Sequence, residues 1–278
     1  MAKNLLQGII KILLKYILPI VLLFVLFKIN IYAGISGLIV LIAYSAYKYI
    51  PSYYAIKGSS AYSEGKLQEA AAWFKKSYET GRAKDNLVIS YCYLLLKTGQ
   101  FDLAYDILSK LLRKPLPFEQ KMNAKSNLAL AIWKKGSLNE AIQLLEEVHS
   151  QYENTNVYGS LGFMLILSGD LQKALDYNLK AYEYNDKNPV ILDNLAHTYY
   201  LLGQYEESLE VFEKLMALSP APSFAEAYYD YGLLLEKLGR QEEAVKMYEK
   251  ADTFNLTSLS AITKEDIQNK LHGNTSGG

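Results

Sequence analysis

The sequence predicts an all-α protein: an apolar, membrane-spanning helical hairpin over residues 1–50, then an α-solenoid of about six helix-turn-helix units with a short C-terminal capping helix. Three observations predict it. Two apolar runs, 9–27 and 29–49, lie back to back at the start of the chain. Glycines then recur at Gly65, Gly99, Gly136, Gly169, Gly203 and Gly239, never more than a few residues from an even period. Residues at fixed distances from those glycines also keep their size from unit to unit, small at two positions and large at a third.

The apolar runs each approach the ~20 residues needed to cross a hydrocarbon core. Between them stands only Lys28, with Asn30 and Gly34 just beyond, which suits a tight turn. Ala33 and Gly37 offer a small-residue face for close packing of the pair. The chain has 29 basic and 29 acidic residues, but residues 1–50 hold Lys3, Lys11, Lys15, Lys28 and Lys48 and no acid. The rest is therefore mildly acidic, which argues against a nucleic-acid binder. Lysines before the first run and after the second place both ends in the cytoplasm by the positive-inside rule, giving a two-span protein of the cell membrane. A single span, with the first run lying along the surface, and a cleaved leader are the alternatives. Tyr44, Tyr47, Tyr49 and Tyr53 fall where an interfacial aromatic belt is expected. Pro51 reads as the start of a new helix, with a fixed bend at Ile50.

Beyond residue 50 each unit reads as two helices around a glycine turn. Five residues after each glycine come Ala70, Ala104, Ala141, Ala174, Ser208 and Ala244; seven before come Gly58, Cys92, Ala129, Gly162, Ala196 and Gly232. Nine after come Phe74, Leu108, Leu145, Asn178, Phe212 and Tyr248, all large but Asn178. The glycine admits the left-handed backbone that ends the first helix. The small positions let the paired helices approach, and the large one is expected to fill the space between neighbouring units. The units run at about 51–84, 85–121, 122–154, 155–188, 189–224 and 225–256, and 257–278 forms the capping helix and a polar tail. Thr263 and Asp266 have the spacing of a capping box.

The unit from Pro189 to Pro220 carries Asn194-Leu195-Ala196, Tyr199-Tyr200, Gly203-Gln204-Tyr205, Ser208, Phe212 and Leu215, and the next carries Tyr228, Gly232, Gly239, Ala244, Tyr248 and Ala251. In this order they resemble the tetratricopeptide repeat family, here as a membrane-anchored member. The resemblance covers about 51–256 and implies a protein-binding solenoid whose first helices line a concave groove. The groove positions it implies are Tyr62, Tyr93, Leu130, Trp133, Phe163, His197, Tyr200 and Leu233. Such a stripe suits a protein or peptide partner with bulky anchors, or packs internally between first helices. The positions at which some family members clamp a C-terminal carboxylate are Ala55, Ser59, Ser90, Asn123 and Asn127, with no basic residue among them.

No catalytic constellation, metal-ligand spacing or cofactor motif can be assembled. The three histidines are scattered, with His149 and His272 read as solvated near helix ends, and the single cysteine, Cys92, lies in an apolar helical run. The expected role is a non-enzymatic membrane adaptor that binds no nucleic acid and needs no cofactor. Self-assembly as a homo-oligomer, or service as a non-catalytic regulatory subunit of a membrane complex, are the other readings.

Overall fold

The computed structural model describes residue 13 and residues 17–273, and among these it contains fourteen α-helices and no strand. α1 (Leu18–Ile29) and α2 (Ile31–Ser63) are separated by a single residue. Asn30 takes extended backbone, and its side chain accepts a hydrogen bond from the Tyr32 N–H at 2.8 Å, capping α2 as the chain reverses. Phe27 packs at Gly34, and Leu23 and Leu26 pack at Gly37, so positions rise on α2 as they fall on α1. That pairing makes an antiparallel hairpin. Gly34, rather than Ala33, is the tightest point: a β-carbon there would stand 2.2 Å from the Phe27 ring.

Of the first expected span, 9–27, part lies outside the described residues, and the described helix α1 is short for a crossing. One helix, α2, is long and apolar enough to cross a membrane. It also corrects the expectation at Pro51, because α2 runs straight through that residue and needs no new start there. A proline inside a helix forfeits one backbone bond and crowds the preceding turn. Here the ring is buried against the next helix, and the Ser77 hydroxyl donates to the Pro51 carbonyl at 2.8 Å. Tertiary packing outweighs the local preference to break.

The inner half of α2 pairs with α3 (Leu67–Glu79) as the first helical hairpin. The second pairs α4 (Asp85–Lys97) with α5 (Phe101–Leu111), and the third α6 (Phe118–Lys134) with α7 (Leu138–His149). The fourth pairs α8 (Thr155–Leu167) with α9 (Leu171–Tyr184), and the fifth α10 (Pro189–Leu201) with α11 (Tyr205–Met216). The sixth pairs α12 (Ala225–Lys237) with α13 (Gln241–Asp252), and α14 (Lys264–Gly273) follows. The expected boundary between residues 121 and 122 falls inside α6, whose N-cap is Pro117; the prolines there delimit a helix that begins earlier than the glycine period alone suggests.

At the six turns the glycines have φ between +75° and +99°, where a β-carbon is penalised. The N–H after the glycine reaches back five residues in most of them, as in Gln100 to Leu95 at 2.8 Å and Arg240 to Leu235 at 2.9 Å. A seventh such residue, Gly81 at φ +69°, stands between the first two hairpins, outside the period.

The large residue turns out to lock a hairpin to itself. A β-carbon on Gly58 would lie 2.5 Å from the Phe74 ring, and one on Gly232 would lie 2.5 Å from the Tyr248 ring. The ring of α3 or α13 therefore rests on the bare backbone of its own partner helix, and Phe212 and Tyr248 are wholly buried. Burial of such a side chain is worth roughly 1.5–3 kcal/mol. Asn178 keeps the position but changes the chemistry. Its Nδ2 donates to Thr198 Oγ1 at 3.1 Å, Thr198 donates to the Asn194 carbonyl at 2.6 Å, and Asn194 Nδ2 donates to the Gly159 carbonyl at 2.9 Å. This buried polar chain joins the fourth and fifth hairpins where an apolar contact is usual.

Cys92 is fully buried, and burial pushes its thiol up to about 12, so it behaves as a small apolar side chain. His149 corrects its reading as solvated: its ring packs edge-on against Tyr158 and Tyr177, with centroids 4.7 and 5.3 Å away. The adjacent tyrosines supply an apolar lodging that its helix-end position did not reveal.

The C-terminal segment does more than end the stack. Thr263 and Asp266 form a reciprocal cap, with the Thr263 N–H donating to the Asp266 carboxylate at 2.7 Å and the Asp266 N–H donating to the Thr263 hydroxyl at 3.1 Å. Ile267 then buries α14 against the last two hairpins. Between α13 and α14, Phe254, Leu256 and Ile262 pack on that same core, while Leu259 packs on the core of the first three hairpins. The Ser258 N–H donates to the Lys97 carbonyl at 3.0 Å, and Lys134 Nζ donates to the Ser260 carbonyl at 3.4 Å. The loop thus crosses from the sixth hairpin to the second and third.

Candidate functional site

In the second, fourth, fifth and sixth hairpins the first helix is the more buried of the pair, and half-buried residues recur on the first helices along the stack. Tyr93, Leu130, Trp133, Phe163, His197, Tyr200 and Leu233 are all half-buried, and Tyr62 is 39 % exposed. Their neighbours at the deeper positions, Leu96 and Ile166, are buried and belong to the core. Trp133 meets Phe163 edge to face at 5.5 Å between the third and fourth hairpins, and Lys134 Nζ lies 4.1 Å over the Trp133 ring. Tyr200 lies 6.0 Å from both His197 and Tyr205. Lys97 Nζ donates to Tyr62 Oη at 2.9 Å while lying over the Tyr62 and Tyr93 rings. The stripe combines internal packing with partial exposure: each aromatic holds a neighbour and still presents an edge.

The stripe also carries charge that its apolar sequence pattern does not announce. Asp193 and His197 stand one turn apart on α10, facing Glu226 and Asp230 one turn apart on α12. His197 Nδ1 lies 2.7 Å from Asp230 Oδ2, though not aligned as a hydrogen bond. Burial works against a charged imidazole here, but the Asp230 carboxylate outweighs it and raises the His197 pKa. Asp193 is 7 % exposed and its Oδ1 has no hydrogen-bond partner. Burial first, then Asp230 and Glu226, push its carboxyl well above the usual range. Across the concave side, burial lowers the Lys134 pKa, with Glu226 opposing that shift from the far end of the stack. Sequence reasoning found His197 and missed Asp193, Glu226 and Asp230. The available signal was two pairs of titratable residues at i, i+4 on consecutive first helices.

Tyr44, Tyr47, Tyr49 and Tyr53 of α2 are all exposed. Tyr54 instead stacks on Trp73 of the first hairpin, with centroids 6.0 Å apart. Arg82, from the link between the first two hairpins, reaches back so that its guanidinium lies 3.6 Å over the Tyr47 ring.

Helical hairpins with a positive-φ glycine and an interlocked small–large pair, repeated along one stack, have counterparts among known proteins. Residues 189–251 match the tetratricopeptide repeat family model. Residues 189–251 carry tetratricopeptide repeats. The chain is 24% identical over 236 residues to the TPR repeat-containing protein MJ1428 of Methanocaldococcus jannaschii, covering 77% of this chain and 40% of that one. It is 28% identical over 129 residues to the TPR repeat-containing protein YvcD of Bacillus subtilis, covering 46% of this chain and 26% of the relative. This chain therefore matches less than half the length of either. A crystal structure of a tetratricopeptide repeat protein from Parabacteroides merdae superposes with a TM-score of 0.64 at 14% identity, covering 89% of this chain and 93% of the other. TTC0263, a thermophilic TPR protein of Thermus thermophilus, gives 0.56 at 19% identity, with coverages of 69% and 100%. At those identities the likeness shows the fold. Proteins with tetratricopeptide repeats mediate protein–protein contacts.

Proposed function

We propose that this protein is a membrane-anchored, non-catalytic adaptor that holds a protein or peptide partner on the concave face of its repeats, close to the membrane. The observation that carries the reading is α2, a single helix with two fates. Its outer half exposes Ile31, Ile35, Ile39, Val40 and Ile42, while its inner half buries Ala55, Gly58 and Ala61 as the first helix of the first repeat. An apolar 18-residue stretch of α2 that is only 6% buried is not part of the core, and lipid is the solvent that suits it. The continuous helix, with Arg82 on Tyr47, fixes the groove in relation to the membrane surface.

In the fuller form of this reading α1 pairs with α2 as a second span, Tyr44, Tyr47, Tyr49 and Tyr53 lie at the headgroups, and the repeats face the cytoplasm. Tyr62, Tyr93, Leu130, Trp133, Phe163, His197, Tyr200 and Leu233 line the partner site. Cysteine reporters at Asn30 and Lys246 test the topology, and buried Cys92 leaves the background silent. Asn30 should label from outside intact cells, and Lys246 only after permeabilisation. Labelling of both from one side would contradict two spans. Photo-crosslinking from the groove should lose its partner band when Trp133→Ala and Tyr200→Ala are combined, with helical content unchanged. An undiminished band would move the partner site elsewhere.

A further inference from the structure

The concave face is already engaged by part of its own chain, and the manner of that engagement specifies a ligand. Residues 257–260 form a tight turn, with the Ser260 N–H donating to the Thr257 carbonyl at 3.0 Å and the Leu259 N–H to the Thr257 hydroxyl at 3.2 Å. The turn meets the ends of α4 and α6 through three kinds of contact. The Ser258 N–H donates to the Lys97 carbonyl at 3.0 Å, one of the last carbonyls of α4. Lys134 Nζ reaches the Ser260 carbonyl at 3.4 Å. The Leu259 side chain packs on the core formed by the first three hairpins. Gly99 makes the close approach admissible, since a β-carbon there would stand 3.0 Å from Ser258 Oγ.

We infer that this rim of the second and third repeats is a peptide-binding site and that residues 257–260 occupy it as a built-in ligand, while Phe254, Leu256 and Ile262 hold the segment on the last hairpins. The partner it fits is a segment with a single leucine-sized anchor flanked by small hydroxylated residues. Its main-chain N–H would pair with the Lys97 carbonyl, and its main-chain carbonyl would take Lys134. This deepens the adaptor reading and rests on it; the rim adjoins Trp133, whose ring lies under Lys134 Nζ, and does not include Tyr200. The loop carries no covalent lock, and its polar contacts to the rim are single hydrogen bonds that a peptide backbone can replace. Tethering is what favours the resident segment. A segment held by a short connection acts at an effective concentration of about millimolar. An incoming peptide of the same chemistry binds only the fraction of molecules with the loop displaced, so its apparent affinity falls by the loop's occupancy factor. The loop is thus both a model of the partner and the competitor that sets its threshold.

The test uses the full chain in lipid nanodiscs and a fluorescein-labelled peptide of residues 254–263. A variant with Thr257→Gly, Ser258→Gly, Leu259→Gly and Ser260→Gly keeps the loop length and removes the resident anchor. By fluorescence anisotropy it should bind the peptide at least tenfold more tightly than the parent chain. A peptide carrying Leu259→Asp should not bind either protein. If the four-glycine variant loses helical content, the single change Leu259→Ala makes the same comparison. Equal affinity of parent and emptied protein, no binding to either, or equal binding of the aspartate peptide would overturn the inference. Any of these with the Trp133/Tyr200 crosslink intact would leave the adaptor reading standing without the built-in ligand.

Discussion

The two halves of α2 share a backbone and obey opposite rules. In the outer half the large apolar residues point outward, and Gly34 and Gly37 of α2 make the close contacts with α1. In the inner half the small residues point into the stack, and Gly58 takes the Phe74 ring. Helix propensity does not distinguish them, since the helix passes through Pro51 without ending. What differs is the solvent each half is built for. The inner half finds its apolar surroundings in the same chain; the outer half requires them from outside. The comparison teaches that the apolar outer half and the first repeat share one continuous helix, and that a lesion in one half should be silent in the other.

The largest separation is expected from a charge placed in the outer half. Ile39→Lys should cost roughly 2.5–3.5 kcal/mol of membrane insertion, read as a loss of carbonate-resistant protein, while the melting of the repeats stays as in the parent. A fall in both would show that the halves are coupled through more than the shared backbone. The converse change is Gly58→Leu, which forces a side chain into the space of the Phe74 ring. Overpacking of this kind costs about 1–3 kcal/mol. The repeats should melt earlier with insertion unaffected, and Gly232→Leu against Tyr248 should match it at the far end of the stack. Lys246→Ala, an exposed control, should shift stability by about 0.5 kcal/mol or less.

A third prediction contrasts the inner half of α2, which buries no charged side chain, with α10, which buries Asp193. The carboxyl of Asp193, facing Glu226 and Asp230 from α12 and one turn from His197, holds its proton to a higher pH in the folded chain than in the unfolded one. Its contribution is therefore complete below about pH 4 and is lost as pH rises through the raised value. Asp193→Asn should melt later than the parent at pH 7 and alike at pH 4. Equal offsets at both pH values would mean that the site does not titrate on unfolding. The raised pKa of His197 acts in the same sense at higher pH and is present in both proteins. Apart from the Lys246→Ala control, the smallest effect belongs to Arg82→Ala, which removes the cation above Tyr47. An exposed contact of this kind is worth about 0.5–1 kcal/mol. It should loosen the first repeat relative to the anchor, seen as greater mobility of a spin label at Lys66, without altering insertion or melting.

The repeats were legible because their physical requirements are local. A left-handed turn calls for glycine, a ring resting on a helix backbone calls for glycine or alanine, and both recur at fixed offsets. Features set by tertiary partners were not legible. Pro51 looks like a boundary until the buried contact with α3 is known, and Asn178 looks like a defect until Thr198 is placed opposite it. Gly81 falls outside the period because it serves the link between hairpins. Asp193 hid in an apolar helix, visible only as an i, i+4 partner of His197. The loop at 254–263 gave one sign, the large apolar residues Phe254, Leu256, Leu259 and Ile262 after the last repeat helix, but nothing local reveals that Leu259 belongs to the opposite end of the stack.

That loop alters how the whole array should come apart. A solenoid whose units touch only their neighbours behaves as a one-dimensional chain, fraying from its ends with each unit lost separately. Contacts from residues 258–260 to Lys97 and Lys134 tie the last unit to the second and third, closing the chain into a circuit. The first repeat, for its part, begins within the longer helix α2 and not at a helix end. Opening at any one junction leaves the pieces connected the other way round. Unfolding should thus gain cooperativity from the cross-brace, and freeing a few residues near the C-terminus would restore the ordinary, unit-by-unit behaviour of an open array.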